Sequence, residues 1–502
     1  MLCLPWLNPF AAGPSPNITP WLFSLACIAV LMGVKSFGNH RFDHGISQPI
    51  AWAWLAAGLI SSAIGMLQYF DMADDLSPWV NQPGLGEAFA NLRQRNQFAT
   101  LTNIAVAALL WLAVHTGPRE TAVKYWHIGW LLTAAVLLAV GNAISSSRTG
   151  LFQLLLLCGL YAVWNSLRCK TLRRLLVCTV LTYSVAMFAM PYLAGFDVAS
   201  HGAFARMGKD EVCSSRLTLW SNVLHLIAQK PWLGWGWGEL DYAHFITLYD
   251  KLRFCDILDN AHNLPLHLAV ELGVPVALLV CSGFTWWVLR QKPWAERDAG
   301  RQMAWAVLAI ILLHSMLEYP LWYGPFQIAF GLCLVILWCK PADLASTRNT
   351  TKNELNIRIN QVNGMPSAII IIASTISLIV IAYAAWDYHR VSQIYLQPEA
   401  RHAAYQVDTL AQARKSWLFA DQALFAELVM TPLTPATAAQ VYANASHLLH
   451  YSPEPRVITK LIESAVMLGY DAEALAYLAR FKAAFPKEHA AWAMSNLNAV
   501  TD

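Results

Sequence analysis

Long apolar blocks separated by short polar loops dominate the first 386 positions of the chain. Apolar runs of about 17 to 26 residues, enough to cross roughly 30 Å of hydrocarbon as a helix, fall near 21–37, 50–69, 97–115, 126–144, 150–167, 173–195, 264–289, 301–317, 321–339 and 366–386. Met1–Ala12 is also apolar and has the length of the outer half of a further span. A long loop at 196–263 and a polar linker at 342–365 interrupt this rhythm. After Ala385 the pattern changes to ordinary charge content, with helix-length segments broken at Pro398, Thr431-Pro432, Pro453-Glu454-Pro455, Gly469 and Pro486. Between Asp471 and Pro486, residues Ala474, Leu475, Leu478, Phe481 and Ala484 fall at helical spacing, as in one helix of a tetratricopeptide repeat, although the full repeat period is not evident. The pattern predicts an all-α polytopic membrane protein with about 10–12 transmembrane helices. Domain 1–386 includes the loop 196–263, and 387–502 is a soluble domain of helical hairpins.

Composition supports this: the chain is 57% hydrophobic and 13% charged, too apolar for an ordinary soluble protein. The net charge of +3 is small and spread over many loops, which argues against a nucleic-acid partner. No cleavable leader is expected, since Met1–Ala12 lacks a basic start and Pro14, Pro16 and Pro20 follow. The 22 tryptophans suit membrane interfaces and sugar-facing surfaces equally well. Cys27, Cys158, Cys178, Cys281 and Cys333 lie in apolar runs and act as small hydrophobes. Cys213 and Cys255 are the only cysteines in the long loop and are the candidates for a disulfide.

Alternate loops differ in basic residues. One set holds Lys35, Arg41, Arg119, Lys124, the cluster Arg168 to Arg174, Arg290 to Arg301, and Lys340 to Arg358. The short loops of the other set hold only Arg93, Arg95 and Arg148. The positive-inside rule makes the first set cytoplasmic and the second outward-facing. The outward set then collects Arg93-Gln94-Arg95-Asn96, Ser145 to Gly150, the loop ending at His262, Glu318-Tyr319-Pro320 and the tail. Ionisable groups at a membrane edge cost a few kcal/mol unless paired or wet, so their clustering on one face suggests a shared cavity.

Within the long loop, Arg216-Leu217-Thr218-Leu219-Trp220 starts an amphipathic helix capped by Ser214 or Ser215, with Leu217, Trp220, Leu224, Ile227 and Ala228 expected on one face in the membrane interface. In Trp232-Leu233-Gly234-Trp235-Gly236-Trp237-Gly238, alternating glycines and tryptophans suit a sugar or lipid contact and a plain aromatic turn equally. The stretch Asp259-Asn260-Ala261-His262-Asn263-Leu264-Pro265 opens the next apolar segment. Asp259 or Asn260 can cap its first turn, which sets His262 beside the positive end of the helix dipole. Two arginines, a histidine and a carboxylate–tyrosine pair around an outward cavity point to a reaction on an anionic, membrane-held substrate, for which a lipid pyrophosphate is the best chemical fit. Arg148 and Arg216 would neutralise the departing diphosphate. His262, with an ordinary pKa near neutrality, would accept a proton from a hydroxyl. No metal or other cofactor is called for; Asp256 and Asp259 serve as well as caps.

These residues carry a family resemblance. Gln94-Arg95-Asn96, Ser147-Arg148-Thr149-Gly150, His262-Asn263 followed by Glu271-Leu272-Gly273, and His314 to Tyr323 with its Glu318-Tyr319-Pro320-Leu321-Trp322-Tyr323 run resemble the bacterial PglL-type protein O-oligosaccharyltransferases. Those are relatives of the WaaL-type O-antigen ligases and Wzy polymerases, with a GT-C-like membrane fold. The resemblance covers roughly 1–390 and departs at the short N-terminus. It implies His262 as the essential histidine and Gln94, Arg95, Arg148 and Arg216 at the donor pyrophosphate. Glu318, Tyr319 and Asn263 would position the substrates. It also implies an undecaprenyl-pyrophosphate-linked oligosaccharide as donor, serine or threonine of a pilin-like or other exported protein as acceptor, and an inner-membrane location with the site facing the periplasm. An O-antigen ligase or polymerase of the same superfamily is the first alternative. A lipid-linked glycan transporter is the second, but it would place polar groups near the bilayer midplane.

Overall fold

The structure, a computed structural model, describes residues 1–8, 10, 18–37, 46–115, 121–196, 212–338 and 367–501. Arg41, Arg119, Lys340, Arg348, Lys352 and Arg358, on which part of the charge asymmetry rests, lie outside the described residues, as does the linker 342–365. The regular structure of the described residues is helical. The first helices are α1 (Leu4–Leu7), α2 (Ile18–Phe37), α3 (Ser47–Tyr69), α4 (Arg95–His115), α5 (Thr121–Ile144), α6 (Arg148–Val163) and α7 (Lys170–Leu193). Next come α8 (Arg216–Gln229), α9 (Leu240–Ile246), α10 (Leu264–Leu272), α11 (Val274–Gln291), α12 (Ala299–Ser315), α13 (Gly324–Trp338) and α14 (Ser367–Ser392). The tail holds α15 (Thr409–Ala413), α16 (Ala420–Met430), α17 (Ala438–Tyr451), α18 (Pro455–Met467), α19 (Asp471–Ala484) and α20 (Pro486–Thr501).

Six stretches of these helices are long and apolar enough to cross a membrane: Ser47–Tyr69, Arg95–His115, Trp126–Ile144, Lys170–Leu193, Val274–Ala295 and Ala368–Tyr395. Four shorter apolar helices, Ile18–Val34, Arg148–Val163, Ala299–Ser315 and Gly324–Trp338, account for the remaining apolar runs. The protein is therefore a polytopic membrane protein.

The chain divides into two compact units, 1–208 with 288–383 and 209–287 with 384–502. The first is the membrane bundle, and α4 is its axis: every residue from Gln97 to Ala113 is buried, among α3, α5, α6 and α12. The loops of this unit sort into two ends. At one, Trp164 Nε1 donates to the Pro293 carbonyl at 2.6 Å. There too Arg301 closes the end of α13 through the Leu337 carbonyl, also 2.6 Å, and Gly300 lies against Ser47. At the other end sit Asn96, Ser147 and Glu318. This is the partition that alternation of spans requires.

The second unit holds two corrections to the sequence reading. The loop after residue 211, expected to belong to the membrane domain, groups with the tail. Phe245 of α9 is buried in the core of the hairpin helices with Leu448, Ile458 and Phe481, while Leu240 and Ala243 of the same helix pack with Val223, Leu226 and Val270. The apolar run 264–289 is also not one helix. It breaks at Gly273, whose φ of +88° only glycine adopts easily; a Cβ there would lie 2.2 Å from the Trp232 carbonyl oxygen. The Trp-Gly segment runs along the break. Trp235 N–H donates to the Val270 carbonyl at 2.9 Å, Gly236 N–H to Glu271 at 3.0 Å and Val274 N–H to Pro231 at 2.8 Å. The glycines of that segment thus serve backbone packing, since a Cβ on Gly234 would lie 2.3 Å from the Glu271 carbonyl oxygen. The membrane-length helix begins only at Val274.

On α8 the buried residues are Leu219, Asn222, Val223 and Leu226, and Leu217 and Leu224, of the face expected in the membrane interface, are exposed. On α19, Ala474, Phe481 and Ala484 are buried and Leu475 is exposed.

Candidate functional site

In the membrane bundle, motifs far apart in sequence meet on one carboxylate. Glu318 follows α12 and is only 7% exposed. Its Oε1 accepts from Asn96 Nδ2 at 2.8 Å, and its Oε2 accepts from Gln94 Nε2. Asn96 in turn accepts from Ser147 Oγ at 2.5 Å. Ser147 is the cap of α6, holding the Gly150 N–H at 3.0 Å, and this fixes Arg148 as the first residue of that helix, where it is exposed. Gly150 has to be small, because a Cβ would meet Asn142 and Ala99 at 2.3 and 2.7 Å. The polar run continues inward: Thr100 Oγ1 meets His314 Nδ1 at 2.9 Å and accepts from Gln153 Nε2 at 2.8 Å. A buried carboxylate without such donors would cost several kcal/mol, so these amides explain why a charge is tolerated here.

The structure thus brings together Gln94, Asn96, Ser147 and Glu318. Tyr319 is half-buried and stacks on Tyr323 with ring centroids 6.0 Å apart. Arg95 is paired with Glu87 at 2.9 Å, a partner the sequence did not reveal, so of the basic candidates it has a carboxylate within its own loop.

In the second unit, His262 stands directly before α10 with φ +50°, an uncommon left-handed conformation for a non-glycine residue that costs about 1–3 kcal/mol. Two asparagines impose it. Asn260 Oδ1 accepts the His262 N–H at 2.9 Å, and Asn263 caps α10 by accepting the Leu266 N–H at 3.1 Å. The cap is therefore Asn263, not Asp259 or Asn260. Cys213 and Cys255 form a disulfide with Cα atoms 5.4 Å apart. It anchors the chain just before Ser215, whose hydroxyl caps α8 by accepting the Thr218 N–H at 3.2 Å and sets half-buried Arg216 as its first residue.

Around His262 lie ionisable groups to which the sequence reading gave no acid–base role. Asp259 interacts electrostatically with His262, and burial raises its carboxyl pKa. Asp241 is raised to about 7, by burial first and then by Asp259 and Glu239. Glu271, on α10 and outside the membrane-length helix, is also raised to about 7 by burial, against the backbone amides of Gly238 and Leu240 that donate to it. His267 Nε2 lies 3.4 Å from Glu271 Oε2. Its pKa is lowered to about 4, by burial and then by His262, so at neutral pH it stands as a neutral imidazole beside a partly protonated carboxyl rather than as an ion pair. The signal was present: His267 and Glu271 are four apart on a helix and share a face. Glu239 Oε2 meets His450 Nδ1 of α17 at 2.7 Å, and Arg480 of α19 donates to the Ile246 carbonyl at 2.8 Å. Both tie α9 to the tail.

Three family models match the chain. The protein glycosylation ligase model covers 88–113, the O-antigen ligase model 133–281, and the C-terminal model of the virulence factor membrane-bound polymerases 302–499. Gln94 to Asn96, Ser147 to Gly150, Arg216, His262 and Glu318 to Tyr323 all fall inside these segments. The chain is thus similar, segment by segment, to the O-antigen ligases, the protein glycosylation ligases and the membrane-bound polymerases. Similar curated members come from Acinetobacter baylyi. A ComP-specific O-oligosaccharyltransferase is 23% identical over 67% of this chain and 60% of its own length. A general O-oligosaccharyltransferase is 25% identical over 57% of this chain and 50% of its own length. The chain therefore spans only 50–60% of the length of these superfamily relatives. No solved structure matches it.

Proposed function

We propose that the chain is an O-oligosaccharyltransferase that moves a glycan en bloc from undecaprenyl pyrophosphate to a serine or threonine of a pilin-like or other exported protein, at the periplasmic face of the inner membrane. The observation that carries this reading is the setting of His262: a strained backbone held by two asparagines, beside the Asp259 carboxyl. Strain of this kind persists where the surroundings over-determine it, and it concentrates at functional positions.

In the reaction His262 takes the proton from the acceptor hydroxyl, and the oxygen attacks the anomeric carbon of the first sugar. The bond from that carbon to the phosphate oxygen breaks, and the electron pair leaves with the diphosphate. Asp259, ionised, stabilises the imidazolium that forms. Arg148 and Arg216, each the first residue of a helix, hold the diphosphate charge, with the helix dipoles adding to theirs. Arg95, paired with Glu87, contributes less. Gln94 and Glu318 position the donor through their shared hydrogen bond, and Tyr319 and Asn263 orient the reacting groups. The pyrophosphate leaving group stores the energy for transfer, and the tail 387–502, on the periplasmic side, holds the acceptor.

A specific observation favours a second reading, transfer to a lipid A core sugar: the O-antigen ligase model covers the segment with Arg148, Arg216 and His262. Expression with a lipid-linked glycan pathway and a pilin, in a bacterium lacking its own ligase, separates the two. Glycan mass on the pilin supports the proposal; sugar appearing on lipopolysaccharide with none on the pilin overturns it in favour of the ligase.

A further inference from the structure

The peptide unit that joins Ala261 to His262 is held at both of its polar groups. Its N–H donates to Asn260 Oδ1 at 2.9 Å, and its carbonyl accepts from Trp220 Nε1 at 3.2 Å. A peptide unit is rigid and planar, so bonds at opposite edges fix how its plane is turned. The φ of His262 is the rotation between that plane and the rest of the residue, and it stands at +50°, where a non-glycine backbone is strained. On the far side, Asn263 holds the first turn of α10 through the Leu266 N–H at 3.1 Å. The imidazole thus leaves a backbone clamped before and after it.

The Asn260 and Asn263 bonds are local. The Trp220 bond comes from another helix, α8, and joins residues 41 apart. Trp220 follows Arg216 by four positions, so the two share a face of α8 one turn apart, about 5.4 Å along the axis. Arg216 is the first residue of that helix, set by the Ser215 cap. One indole therefore links the helix that starts with Arg216 to the peptide that orients His262. The segment before His262 is fastened to α8 in other ways as well. Cys213 is bonded to Cys255, Asn222 holds the Phe254 N–H and the Leu252 carbonyl, and Ala261 is buried with Leu219, Val223 and Val270. These bring the segment to the helix; what the Trp220 bond adds is the angle of a single peptide.

We propose that Trp220 is a positioning residue whose indole N–H sets the direction of the His262 imidazole relative to Arg216, so that proton acceptance and diphosphate binding occur at a fixed separation. The proposal rests on the roles given above to His262 and Arg216 and deepens that reading.

The test uses two variants that keep an aromatic ring and drop the donor, each as the full chain in nanodiscs. One is Trp220→Phe; the other replaces Trp220 with β-(3-benzothienyl)alanine, which has the shape of tryptophan with sulfur in place of the N–H. The first readout needs no transfer. The rate at which diethyl pyrocarbonate modifies half-buried His262, followed by peptide mass, should rise about fivefold, the population shift that one net hydrogen bond supports. His447, exposed in the tail, should keep its rate. The second readout is pilin glycosylation from a lipid-linked glycan, in which kcat should fall about tenfold with the donor KM unchanged. Unchanged labelling of His262, a parallel rise at His447, a loss confined to KM, or an unchanged kcat overturns the proposal. The two readings fail separately: no transfer by wild type, with His262 labelling raised in both variants, sinks the transfer reaction and leaves the clamp standing, whereas transfer by wild type with unchanged labelling in the variants sinks only the clamp.

Discussion

The two units solve the problem of buried charge in opposite ways. In the membrane bundle the buried carboxyl of Glu318 accepts hydrogen bonds from the Gln94 and Asn96 amides. In the second unit burial raises Asp241, Asp259 and Glu271, and neighbouring carboxylates raise Asp241 and Glu271 further, against backbone amides that donate to each. The first arrangement holds a shape, whereas the second keeps Asp241 and Glu271 partly protonated near neutral pH.

The contrast can be broken most severely at Gly273. Gly273→Ala places a Cβ against the Trp232 carbonyl in a backbone region that side chains avoid, and should destabilise the second unit by about 4 kcal/mol, seen as a large fall in its melting temperature in detergent. Glu318→Ala strands the Gln94 and Asn96 amides and should cost about 3 kcal/mol, read as thermal unfolding of the bundle; Glu318→Gln, which keeps one acceptor, should cost less. Cys213→Ser removes the disulfide at the entrance to α8 and should cost about 2 kcal/mol. In the wild type a thiol-reactive mass tag should shift these cysteines on a gel only after reduction.

The smallest effect sharpens the contrast by pH. Asp241 has a folded pKa of about 7, above its ordinary value. The native state therefore binds a proton that the unfolded state has lost, and its stability is greatest at low pH and falls as pH rises through about 4 to 7. Asp241→Asn should remove part of that decline and leave the protein about 1 kcal/mol more stable than wild type at pH 8, measured by melting temperature across pH 5–8. Equal slopes for the two proteins would show that Asp241 is not the titrating group.

Much of this was legible in the sequence because hydropathy reports burial in lipid well: the apolar runs coincide with helices, and the Gln94, Ser147 and Glu318 motifs do meet. Hydropathy failed where polar groups decide. The buried side of α8 was not legible, because Asn222, which looks like a surface residue, is its anchor. Asn222 accepts the Phe254 N–H at 2.7 Å and donates to the Leu252 carbonyl at 3.0 Å, turning Leu217 and Leu224 outward. The break at Gly273 was averaged away by the apolar residues on either side, although Gly273-Val274-Pro275 is itself a helix-breaking signal. The pairing of Glu239 with His450 joins residues 211 apart, a separation no local pattern spans.

The most direct test of the central claim is the intact mass of an acceptor pilin co-expressed with a lipid-linked glycan pathway and either wild type or His262→Ala. The account predicts a discrete glycan mass on the pilin with wild type, and its loss by a factor of about 10³ or more with His262→Ala at equal membrane abundance. Transfer by His262→Ala at a rate near that of wild type would contradict it.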